Sequence, residues 1–532
     1  MCALKSPLTG VSELPLSRRL TAEYLADLLE RTHSLEDLAK RLALVEDYVS
    51  EEVPLLINKL GKAAASIRTA VLEQYARYLR TQKASDLTLL RSFDRCIQDL
   101  FLDLRLPERA RSDRVPGVLT RLVAQKAGEL KPGAGVILRP QWRYNYKIYR
   151  DDVQTRYQLL FASIFPSRAS IDEWLNGLPD PLYIISFPLI EQRSIHMHAL
   201  LGHELGHLMA REYKPPQLET ERFERDLRRD RLRHLRRSRP DMHRLSDDEV
   251  LSTDSELVRG MAARRAALKE YASDAAAVYL IGLPALLATA QLAASRHLRQ
   301  SREAEGGTYP TWGNRMFFML EAADEAGWLD ALRSVASYDR RTKFAAKAIS
   351  AHIGAIRAWV GSTPQWHVTD RWIAQGHRAA EALLPSVRTF IASRFASCVA
   401  APSETVAGLP VLLDRLSRSL PPDNLTQSDL TFKPAKLEQI FLASWAHRLL
   451  VNVPTFDQSD LSLRTRDTAE RLRRLTFKAI ENVDFHHQFY ALLHETEVAS
   501  GSADQTGARE APERKTSKTT RHNASSHRKA NR

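Results

Sequence analysis

His198-Ala-Leu-Leu-Gly-His203-Glu204-Leu-Gly-His207-Leu-Met-Ala210 predicts an apolar helix with three ionisable side chains gathered over little more than one turn. Residues four apart share a helix face, so His203 and His207 can offer imidazole nitrogens to one ion. Glu204 lies beside that face, within reach of a water held there. His-Glu-x-x-His at this spacing suits zinc hydrolysis. The same pattern arises by chance, or as core histidines with internal partners. Leu200, Leu201, Leu205, Leu208 and Met209 make the helix apolar on nearly every side. Ionisable groups in such surroundings need a compensating partner, and a metal supplies one.

A catalytic zinc ion usually takes three protein ligands and keeps a fourth position for water. The extended motif with a third His is excluded, because Arg211-Glu212-Tyr213 follow. The best candidate is Glu270-Tyr-Ala-Ser-Asp274, in a second apolar helix expected from Leu268 to Ile281. Glu270 and Asp274 again share a face by four-residue spacing. Glu270 is expected to bind the zinc. Asp274 is expected to accept a hydrogen bond from the non-ligating nitrogen of His203, fixing its tautomer. The alternative is an exposed acidic pair near Arg264 and Arg265, against which the apolar run after Asp274 argues.

Taken in order, His203-Glu-Leu-Gly-His207, Glu270-x-x-Ser-Asp274 and Thr308-Tyr309-Pro310-Thr-Trp-Gly-Asn-Arg315 resemble the signatures of the gluzincin-type zinc metallopeptidases related to HtpX and the CAAX prenyl proteases. Those signatures are His-Glu-x-x-His, Glu-x-x-Ala-Asp and Thr-His-Pro-x-x-x-x-Arg, and the match covers the middle part of the chain. The resemblance implies a zincin-like core and peptide hydrolysis, with Arg315 organising the site electrostatically. Tyr309 replaces the family's His and, by that resemblance, donates to a developing oxyanion. Ser273 replaces the family's Ala, a change expected to be harmless.

The chain has 532 residues and a formal net charge of +13, an ordinary globular composition long enough for several domains. Cys2, Cys96 and Cys398 are unclustered and cannot all pair, which favours a reducing, cytoplasmic setting. The first ten residues contain no apolar run after their single Lys, so no signal peptide is expected. Ala275 to Ala294 carries no charge and approaches the length of a membrane span. Gly282-Leu-Pro284 divides it, predicting a buried helical elbow behind the site and no membrane span.

Residues 1–130 read as an N-terminal helical region of four or five packed helices, with Cys96 a core residue. A metallopeptidase domain is expected over 131–340, opening at Lys131-Pro-Gly-Ala-Gly. Strands are expected at Val136-Ile-Leu-Arg, around Trp142 to Tyr149, and at Pro181-Leu-Tyr-Ile-Ile-Ser-Phe187. Zinc peptidases place a sheet edge along the cleft, so an extended peptide could pair with the last of these; a buried strand without a substrate role is the other reading.

An Arg-rich helical insertion spans 215–250, with ten Arg against six acids between Glu219 and Arg244. Pairs such as Glu221 with Arg225 and Glu224 with Arg228 predict a solvated helix that can also cover the cleft. Residues 341–500 return to helices, expected at Lys343–Val360, Asp370–Phe395, Leu437–Val451 and Asp467–Leu493. His487 and His494 share a face there, but no carboxylate joins them at metal spacing. Residues 501–532 form a basic tail, expected to be disordered and able to touch nucleic acid or acidic partners non-specifically.

The expected fold is therefore mainly α with a small β-sheet, a zincin-like metallopeptidase core flanked by helical regions. The expected function is zinc-dependent hydrolysis of a peptide or protein substrate. His203, His207 and Glu270 hold Zn²⁺, Glu204 is the general base, and Tyr309 or Arg315 faces the oxyanion. The alternative is a zinc-stabilised scaffold that recruits partners without hydrolysis.

Overall fold

Leucine, isoleucine and alanine at helical spacing fold most of this chain into helices, as a computed structural model shows. The structure describes residues 18–506 except 46–47, 49, 51, 82–86, 112–116, 144–145, 166–171, 173, 252–253, 295–307, 336–338, 362–369, 427–430 and 452–460. The chain's start with Cys2, and the basic stretch after 506, lie outside the described residues. The chain divides into two units, Met1–Asp484 and Phe485–Arg532.

In the first unit, α1 (Arg18–Ala43), α2 (Glu52–Thr81) and α3 (Leu87–Arg109) close around Leu25, Leu28, Ile57, Ile67, Phe93 and Leu100. Cys96 belongs to this core, and burial pushes its thiol up to about 12. The fourth helix, α4 (Gly117–Leu130), does not complete the bundle. Its Leu119, Val123, Ala127 and Leu130 join the larger core around the sheet and the site instead.

Strands β1 (Gly135–Gln141), β2 (Lys147–Asp151) and β3 (Leu182–Pro188) form one sheet in the order β1-β3-β2. β1 runs parallel to β3, with Val136 opposite Tyr183, and β2 runs antiparallel, with Ile148 opposite Ile185. The expectation of an edge at Pro181–Phe187 is corrected here. β3 is buried throughout and paired on both sides, so its backbone groups have no pairing left for a peptide. A run apolar at almost every position, rather than alternating, is what burial on both faces produces.

The larger core holds α6 (Leu201–Glu212), α8 (Ser255–Ile281) and α9 (Leu283–Ala294); α5 (Val153–Phe161) precedes them in the chain and α7 (Gln217–Ser238) lies between α6 and α8. α10 (Trp312–Glu325), α11 (Arg340–Val360) and α14 (Leu437–Val451) also contribute to it. Between α8 and α9, Gly282 takes φ 78°, and a Cβ there would meet the Trp328 ring at 2.3 Å. The expected elbow therefore turns on a position that admits only glycine. Among the described residues no helix is long and apolar enough to cross a membrane.

The Arg-rich α7 is less solvated than its composition suggests. Leu227 packs with Leu257 and Trp372, Phe223 packs against them, and Arg231 pairs with Asp254 at 2.9 Å. The acids of α7 meet other partners than expected, with Gln217 donating to Glu221 at 2.7 Å and Arg229 donating to Asp226. The helix expected over Asp370–Phe395 is two, α12 (Arg371–Glu381) and α13 (Leu384–Arg394). Pro385 in the first turn of α13 has no N–H to continue the earlier helix.

The last helix, α15, runs from Leu461 to Thr506, past the expected end of the helical region at 500. The second unit contains its end, where Phe485 stacks on Phe489 and His487 is exposed.

Candidate metal centre

α6 and α8 cross closely because small residues meet where they touch. A Cβ on Gly206 would lie 2.5 Å from the Ser273 carbonyl oxygen, and one on Gly202 would lie 2.7 Å from Ile281 Cγ1. This approach sets the two histidines of α6 against the carboxylates of α8. His203 Nε2 lies 3.5 Å from Glu270 Oε2, and His207 Nε2 lies 3.7 Å from Glu270 Oε1. His203 Nδ1, the other ring nitrogen, lies 2.8 Å from Asp274 Oδ1. His203, Glu204 and His207 each offer a ligand atom within 4.8 Å of the others.

Arg315, one turn into α10, closes the far side. Its Nε donates to Asp274 Oδ2 at 2.7 Å and its Nη2 to Oδ1 at 2.8 Å, a two-pronged pairing. Nη1 lies 3.3 Å from Glu270 Oε2, and the guanidinium stacks 4.7 Å from the Trp312 ring centroid. Thr311 caps α10 by accepting from the Asn314 amide. Tyr309 is buried on the segment leading into this helix, where the Thr308 carbonyl accepts from His377 Nε2 at 2.8 Å.

Ser273, named in the sequence but given no role there, also reaches the site. Fully buried, it places Oγ 2.5 Å from His207 Nδ1 and donates to the Lys269 carbonyl at 2.8 Å. An Ala at this position could make neither contact. The signal was available, since Ser273 follows Glu270 by three residues and so shares its helix face.

His203, Glu204, His207, Glu270, Asp274 and Arg315 are all buried. Burial works against a charge on His203, but Asp274 and Glu270 outweigh it and raise the imidazole to about 9. Burial and the neighbouring His203 hold His207 well below the ordinary range. Glu270 and Asp274 resist burial because Arg315 and His203 keep both below the ordinary carboxylate range. With His203 neutral, as a metal ligand must be, three carboxylates face one guanidinium. The two negative charges left over in this low-dielectric site match a divalent cation.

Two observations test whether a metal fits. Glu270 Oε2 is buried and makes no hydrogen bond. Ligand atoms around a tetrahedral ion with bonds near 2.0–2.1 Å sit roughly 3.3 Å apart, close to the 3.5 and 3.7 Å separating Glu270 from the two histidines. The buried His203-Glu204-His207 group can bind a metal ion.

Comparison with known proteins returns nothing at this point: no family model, no curated protein and no solved structure matches the chain.

Proposed function

We propose that this chain is a zinc-dependent metallopeptidase with a zincin-like core. The observation that carries the reading is the convergence of His203 Nε2 and His207 Nε2 on the Glu270 carboxylate at ligand-to-ligand spacing. His203, His207 and Glu270 would hold the zinc. Zinc supplies Lewis acidity, which acidifies water and polarises a peptide carbonyl.

Glu204, next to the ligand face, is the general base: it takes a proton from the attacking water and hands it to the leaving amine. Asp274 holds His203 by its outer nitrogen. Arg315 keeps Glu270 and Asp274 ionised and in place, and with its Nε and Nη2 engaged by Asp274 it acts through those carboxylates. That leaves Tyr309 as the donor to the oxyanion, a neutral phenol in the place where the resembling family has His.

A second reading has one observation behind it, the placement of Glu204 within the same 4.8 Å group as the two histidines. As a third ligand, Glu204 would make the ion structural and the protein a zinc-stabilised scaffold. Metal analysis and unbiased peptide-library cleavage of wild type and Glu204→Gln separate the two. A general base predicts that the variant keeps about one zinc per chain and stops cleaving. Loss of the zinc together with the fold's stability assigns the scaffold.

A further inference from the structure

The groups behind the two histidines are unequal. His203 has a carboxylate behind it, whereas His207 has only the hydroxyl of Ser273. A serine hydroxyl carries a single proton and two lone pairs. Here the proton is spent on the Lys269 carbonyl at 2.8 Å, one turn back along α8. The oxygen therefore meets His207 Nδ1, 2.5 Å away, with a lone pair. Only a protonated Nδ1 satisfies that contact, and a neutral imidazole protonated on Nδ1 has its free lone pair on Nε2. Nε2 is the nitrogen facing Glu270 Oε1 at 3.7 Å.

From this geometry we propose that Ser273 is a positioning residue that locks His207 in the tautomer able to bind a metal. The inference rests on the metal reading above and goes beyond it. A hydroxyl suits this place better than a carboxylate. With Asp274, Glu270 and Glu204 already balanced by Arg315 and a divalent ion, another acid would leave the buried site with net negative charge. An alanine would leave His207 Nδ1 without this partner at a crossing so close that a Cβ on Gly206 would lie 2.5 Å from the Ser273 carbonyl oxygen.

The test has two parts. In metal-free wild type at about pH 8, above the ordinary imidazole range, the ¹⁵N shifts of selectively labelled histidine report which nitrogen of His207 carries the proton. Zinc dissociation constants of wild type, Ser273→Ala and Ser273→Thr follow from competition with a chelator. We expect Nδ1 protonated and Nε2 free in wild type. Ser273→Ala should weaken zinc binding about 10- to 100-fold and populate both tautomers, and Ser273→Thr should recover affinity if it folds.

A wild-type His207 protonated on Nε2 overturns the proposal even if no variant folds, and so does zinc affinity unchanged in Ser273→Ala. A protein that binds zinc through a Ser273-dependent site but cleaves no peptide upholds the proposal and removes the hydrolytic reading. Wild type that binds no zinc removes both.

Discussion

Glu270 serves three partners with one carboxylate, facing His203, His207 and Arg315 at 3.5, 3.7 and 3.3 Å. Arg315 is occupied by Asp274 on two of its nitrogens, and under the proposed hydrolysis the oxyanion donor is Tyr309. If the phenol faces the reacting carbonyl, its hydrogen bond strengthens only as charge develops on oxygen. Tyr309→Phe should then lower kcat about 10²- to 10³-fold with KM and zinc content nearly unchanged. Tyr309→His should recover part of the rate. Wild-type cleavage by Tyr309→Phe would show that the buried phenol only packs. His203 with His207 and Glu270 with Asp274 were legible because a four-residue spacing is visible within one helix, and Glu204 because it adjoins His203. The pairing of Ser273 with His207 was not, because it exists only once α6 lies across α8, and neither helix states that crossing by itself.

The crossing of α6 and α8 depends on two glycines, Gly202 and Gly206, to which the sequence alone assigned no role. A methyl on Gly206 would press on the Ser273 carbonyl oxygen at 2.5 Å and on Ser273 Cα and Ala276 Cβ at 3.0 Å. Backbone cannot rotate aside as a side chain can, so the helices must separate. Overpacking of this kind costs about 1–3 kcal/mol, and the separation pulls His207 away from Ser273 and Glu270 together. Gly206→Ala is therefore expected to lower both the melting temperature and zinc occupancy. Gly128→Ala in α4, where a Cβ would meet nothing within 4 Å, should be neutral or slightly stabilising. Equal zinc content in the two variants would mean that the close approach is not what sets the site. Strand order was hidden for a similar reason: the sequence marks the three strands by composition. Which one lies in the middle is decided by pairing between residues some fifty positions apart, Val136 with Tyr183 for example.

Folding the first unit takes two further histidines out of water, outside the candidate metal centre. His196 is buried against Trp445 with Nε2 3.0 Å from Ser444 Oγ, and His198 donates Nε2–H to the Gln192 carbonyl at 3.2 Å beside Phe187. Burial, reinforced by the charge of Arg448, pushes His196 down to about 3, and burial alone brings His198 to about 4. In the unfolded chain both titrate near the ordinary 6.5. A depressed folded value means that stability is fully present above that pH and is lost as pH falls, because the unfolded chain then takes up protons the fold refuses. At pH 5 each histidine withdraws about 2 kcal/mol. Glu381 acts oppositely, since burial raises it to about 7 and protonation there favours the fold as pH falls. The total slope is thus a balance, and a comparison isolates the histidine. His196→Gln keeps an amide for Ser444 but cannot titrate. With metal removed by a chelator, denaturant unfolding at pH 7 and pH 5 should show the variant losing about 2 kcal/mol less than wild type. Parallel losses in the two proteins would mean that His196 is protonated in the fold and that its contact with Ser444 is made in the charged form.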